Sequence, residues 1–211
     1  MKDWYVNTGL INNTEDWYTV RHQVHQDMMR PKSALFYINK MEEIAVELAD
    51  RIAEESGVDG KGILDIHPVV QAYALEAVRC IFLDTRLGAI KGEGEGEGEG
   101  PRMIEISEEN LQITQKIFFI PRPMLKFMPM YQRFLRLQAE IFDLCKKHVD
   151  AAMRRVSEED QSVLAKLVRA CGPDSSVPLI MGVNALQVGI DSTASTATFL
   201  LHHLDDNPDK Q

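Results

Sequence analysis

Residues 177–205, VPLIMGVNALQVGIDSTASTATFLLHHLD, constrain this 211-residue chain more than any other stretch. The run has no proline after its second position, so it is predicted to form a single helix of about 29 residues, about 43 Å long at 1.5 Å per residue. Its most apolar part, residues 177–183, is followed by Asn184, Gln187 and Asp191. That leaves it short of the roughly 20 apolar residues a membrane helix needs.

The rest of the chain has the same period. Leu35, Ile38, Met41, Ile44, Ala45, Leu48 and Ile52 recur every three or four residues, predicting a helix over 33–55. Thr14, followed by Glu15 and Asp16, predicts a helix start, with residues 14–28 helical until Arg30-Pro31 ends them. Further helices are expected over 68–83, 107–120, 131–155 and 162–170, with 121–130 as a proline-broken connector. No stretch alternates apolar and polar residues as a strand would. The expected fold class is all-α.

Composition sets outer limits. With 23 Lys+Arg against 32 Asp+Glu the net charge is −9, which argues against binding along phosphate backbones, so no nucleic-acid partner is expected. Cys80, Cys145 and Cys171 are scattered, without a CxxC, and read as free thiols. The N-terminus lacks the pattern of a signal or transit peptide. Residues 92–100 alternate Gly and Glu, a composition that cannot bury a face, so a solvated loop is expected there.

Two stretches could carry chemistry. Trp17 and Arg21 are four residues apart, on one face of the first helix, where an indole N–H and a guanidinium could hold one carboxylate. An Arg lying over a half-buried Trp is the plainer alternative. His22 and His25 offer only two metal ligands. In the last helix, Asp191, Ser192, Thr193, Ser195, Thr196 and Thr198 crowd polar groups after Gly189. Such hydroxyls bond the carbonyl four residues back, so a bulge or kink is expected near 189–193. A carboxylate beside a hydroxyl could relay protons; a tight helix crossing through small residues is the structural alternative.

In this order and at this separation, EDWYTVR and LQVGIDSTAST resemble the WxxxR helix and the long central helix of the cytochrome P-450 family, the haem-thiolate monooxygenases. DTRLG and LDDNPDKQ resemble further segments, and DTRLG is the most specific mark of the mitochondrial branch. The resemblance covers nearly the whole chain, residues 1–211, as one partial domain ending after the long central helix. It implies that Trp17 and Arg21 bind a haem propionate and that Val188 and Gly189 lie at the cofactor. It further implies that Asp191 passes protons, with the Ser192 hydroxyl steering where they land and Thr193 beside it. Val188 stands where the family prefers Gly or Ala, and Ser192 where it usually has Thr.

By the same resemblance, the parent protein is a haem- and O2-dependent monooxygenase acting on a small apolar substrate such as a sterol or xenobiotic. Phe118, Phe119, Ile120, Met124, Leu125, Phe127 and Met128 would roof the pocket. A ferredoxin-type electron donor, a mitochondrial location on the matrix side of the inner membrane, and peripheral membrane association are implied too. The family's ExxR helix and axial-cysteine loop are expected beyond Gln211, so the isolated chain is expected to be inactive. The alternative is a non-catalytic helical binding module, or an inactive truncated fragment.

Overall fold

The computed structural model describes residues 18, 22, 35–56, 65–91, 98–172 and 175–210. Seven α-helices are seen among them, and no strand: α1 Ile38–Ser56, α2 His67–Leu83, α3 Glu99–Ile117, α4 Arg122–Leu125, α5 Pro129–Met153, α6 Val163–Cys171 and α7 Val177–Asp205. A 3-10 turn, Pro208–Lys210, follows. The expected all-α class holds. Of the helix expected over 14–28, only Tyr18 and His22 are described, so Trp17 and Arg21 lie outside the described residues, as does His25.

The core forms where α7 crosses α2, with α3, α5 and α6 closing around them. Leu75, Met103, Ile106, Leu137, Ile141, Leu164, Leu186 and Ile190 are fully enclosed. Along α7, Gly182, Leu186, Ile190 and Ala194 recur every four residues as the inward stripe. Two glycines bring neighbouring helices close to α7, α5 at Gly182 and α2 at Gly189. A Cβ on Gly182 would lie 2.8 Å from Val149 Cγ2, and one on Gly189 would lie 2.8 Å from Val78 Cγ2.

Three expectations are corrected. The α7 helix is unbroken through 189–193. Ser192 donates to the Val188 carbonyl at 2.8 Å and Thr196 to that of Ser192 at 2.8 Å, sharing acceptors without displacing the ladder. Helix α3 begins at Glu99 and not near 107, so the end of the Gly–Glu tract is structured. Gly100 is buried against Leu75 and Ala89, and Pro101 fits a first helical turn, where no N–H partner is needed. The connector 121–130 contains α4, seeded by Pro121 and Pro123.

The DTRLG segment is a tight exit from α2. Asp84 adopts a left-handed conformation (φ 52°) and its N–H returns to the Cys80 carbonyl. Glu76, fully buried, accepts from the backbone N–H groups of Leu87 (3.0 Å) and Ala89 (2.8 Å) and from Arg86 Nε (2.8 Å). Arg86 also pairs with Glu47 of α1. One carboxylate thereby satisfies a turn that would otherwise bury unpaired donors.

Candidate functional site

Three helices supply the walls of an open groove of about 410 Å³. Ser107, Asn110, Leu111 and Thr114 come from α3, Gln138 from α5, and Asn184, Gln187, Val188, Asp191, Ser192 and Ser195 from α7. Both long contributors place these residues at three- and four-residue steps, so each presents one continuous face.

Asp191 is the only Asp, Glu, Lys or Arg between Val177 and Leu204. Its carboxylate turns toward α3, where the Ser107 hydroxyl donates to Oδ2 at 2.6 Å. Ser107 is 2% exposed and also reaches the Gln187 carbonyl at 3.4 Å. Burial pushes the Asp191 carboxyl above its usual pKa, and the Ser107 hydrogen bond opposes that rise. Behind it, Gln187 donates to Gln138 at 2.9 Å. Asn110 is 5% exposed, yet neither its Oδ1 nor its Nδ2 has a partner. A buried, unpaired amide beside a carboxyl is a ready contact for a polar guest.

The sequence placed Asp191, Ser192 and Thr193 together; in the structure they diverge. Ser192 and Thr193 are exposed, and the Ser192 hydroxyl is spent on the Val188 carbonyl. Val188, expected at the cofactor, is 63% exposed on the same side. Gly189, also expected there, faces Val78 across the α2 crossing. The expected pocket residues Phe118, Phe119, Met124 and Phe127 are all exposed around the α3–α5 connector.

A planar, apolar macrocycle fits the outward side of α7. Val188, Phe199 and Leu200 are exposed there, alongside the hydroxyls of Ser192 and Thr196. That side bears no formal charge, because Asp191 points to α3. Trp17 and Arg21, expected to hold a propionate, lie outside the described residues. None of the thiols is poised as a thiolate: burial raises the pKa of Cys80 and Cys171 and lifts Cys145 to about 12. No group of three metal-ligating side chains occurs among the described residues.

Ser107 and Asn110 were missed by sequence reading. Their only signal is that two small polar residues sit three apart on the apolar stripe of α3, beside Met103 and Ile106.

The sequence model of the cytochrome P450 family matches residues 3–211. Cytochrome P450 CYP12A2 of Musca domestica is 29% identical across 96% of this chain and 40% of its own length. Probable cytochrome P450 49a1 of Drosophila melanogaster is 30% identical across 96% of this chain and 36% of its own. The mitochondrial sterol 26-hydroxylase of Oryctolagus cuniculus is 26% identical across 93% and 38%. The chain therefore spans about two fifths of the length of the curated relatives it matches.

Proposed function

Because the chain belongs to the cytochrome P450 family, we propose that the whole protein is a haem-dependent monooxygenase that inserts one oxygen atom of O2 into an apolar substrate of the sterol or xenobiotic kind. The reaction consumes O2, two electrons and two protons, and releases the hydroxylated product and water. Bound haem with a thiolate ligand supplies the oxygen-activating chemistry. In this proposal none of the three thiols of this chain, all raised in pKa by burial, serves as that ligand.

The observation that carries the reading is Asp191: the one carboxyl of α7 before its last residue, raised in pKa by burial and held by Ser107. A carboxyl shifted up from its usual range is better matched to exchanging protons near neutrality. In this proposal Asp191 gathers protons from the groove with Asn110, and Ser192 directs them on the haem side. Val188 and Leu111 form the apolar lip that contacts substrate, with Phe118, Phe119, Met124 and Phe127 of the connector above it. Trp17 and Arg21 hold a propionate, and Gly189 lets α7 approach α2. The relatives named as mitochondrial support a mitochondrial location and a ferredoxin-type donor.

The test is made on the whole protein. It should give the reduced-CO band of thiolate-ligated haem, and Ser192→Ala should keep haem while product falls and hydrogen peroxide rises. Asp191→Asn should slow turnover more broadly. Full coupling of electrons to product in Ser192→Ala would remove the hydroxyl from the relay. Absence of the CO band would favour the non-catalytic binding module.

A further inference from the structure

Far from α7's outward side, the ends of α2 and α5 and the first turn of α3 enclose a cleft of about 680 Å³. Arg79, Thr85 and Arg86 line it from α2 and its exit, Glu99 from α3, and Lys147, His148, Arg154 and Arg155 from α5 and the turn after it. We propose that this cleft binds a phosphate-class oxyanion, a role independent of the haem reading.

The argument is one of uncompensated charge. Arg86 is neutralised by Glu47 and Glu76, and Lys147 by Glu99. Arg79, Arg154 and Arg155 have no carboxylate within ion-pair distance among the described residues. Three unpaired guanidinium groups thus meet in one cleft of a chain whose net charge is −9.

Arg79 is the decisive member. It is 5% exposed, donates to Thr85 Oγ1 at 3.1 Å and approaches His148 Nδ1 at 3.1 Å, and its Nε–H has no acceptor. A buried cation whose hydrogen bonds all go to neutral groups, with Glu76 and Glu99 attracting it only from beyond ion-pair distance, is costly, and an arriving anion relieves that cost. The His148 ring stays neutral beside it, because burial and the Arg79 charge drive its pKa down to about 4, and so offers a lone pair but no countercharge. Guanidinium forks match phosphate oxygens two at a time, a pairing that the single centre of a chloride ion does not offer. Glu99 stands at the edge, held by Lys147 and 3.1 Å from His148 Nε2, leaving the guanidinium side open.

Inorganic phosphate should raise the melting temperature saturably and shift amide resonances of residues 79–86 and 147–155. Sodium chloride at matched ionic strength should do neither. Arg154→Gln/Arg155→Gln, at solvent-facing positions, should fold normally and bind phosphate at least tenfold more weakly. Arg136→Gln, outside the cleft, should bind as the parent does. A soluble short-chain phosphatidic acid, run in parallel, distinguishes a lipid headgroup from free phosphate by which of the two binds more tightly. Failure of both ligands to bind saturably, or equal affinity in the Arg154/Arg155 variant, would overturn the proposal. Neither result depends on haem content or turnover, so failure here leaves the monooxygenase reading untouched.

Discussion

Ser107 and Asp191 lie 84 positions apart in sequence and meet through a hydroxyl-to-carboxylate hydrogen bond of 2.6 Å. The bond ties α3 to α7 and is the main influence holding down a carboxyl that burial raises. Ser107→Ala should therefore push the Asp191 pKa up further and cost about 1.5–3 kcal/mol at neutral pH, the range for a hydrogen bond to a charged group. Infrared detection of the protonated carboxyl band against pH checks this. An unmoved band would mean that the hydroxyl does not control the carboxyl.

Glu76 is the linchpin of the turn after α2, with Leu87, Ala89 and Arg86 all donating to it. Glu76→Gln would leave the Arg86 charge without one of its carboxylates and aim an NH2 at backbone donors. Loss of about 3–5 kcal/mol is expected, as for breaking a buried pair from one side. Urea unfolding of the variant measures it, and a loss under about 1 kcal/mol, the range of an exposed pair, would show the site is not closed.

The helical period made most of the fold legible, and α7 most fully: one helix is expected over 177–205 and one helix forms over Val177–Asp205. Composition misled at Glu99 and Gly100, because a Gly–Glu repeat carries no sign that its last two residues dock against Leu75, Ala89 and Lys147. The hydroxyls of α7 were visible, but not that they would bond back without bending the helix. Ser107 was illegible for a different reason. Its meaning comes from a partner on another helix, and neither residue's neighbours in sequence point to the other.

His148 should leave a mark on acid stability. Its folded pKa of about 4 lies below its ordinary value of 6.5, so between those values the unfolded chain binds a proton that the folded chain refuses. Its contribution is complete above pH 6.5 and lost as pH falls toward 4. Urea titrations should show His148→Gln losing less stability than the parent across that window; parallel curves would refute the assignment.

Gly189→Ala and Gly182→Ala each put a methyl 2.8 Å from a valine carbon. Overpacking of this kind costs about 1–3 kcal/mol, which outweighs the gain of up to about 1 kcal/mol in helix propensity. Thermal denaturation should show both variants destabilised, and pairing Gly189→Ala with Val78→Ala should recover part of the loss.

Gly182 and Gly189 are seven residues apart, and an α-helix drifts only about 20° over that interval. They act as two keyways cut along one line of a shaft, one engaging Val149 and Phe82, the other Val78. A shaft keyed at two points has a single angular setting. Val188 precedes Gly189 directly and Ser192 follows it by three, so the bearing of both toward the outside is set from the adjoining flank of the same helix. A methyl added at either glycine presses on a valine carbon 2.8 Å away, and any turn of the rod that relieved it would carry Val188 and Ser192 round with it.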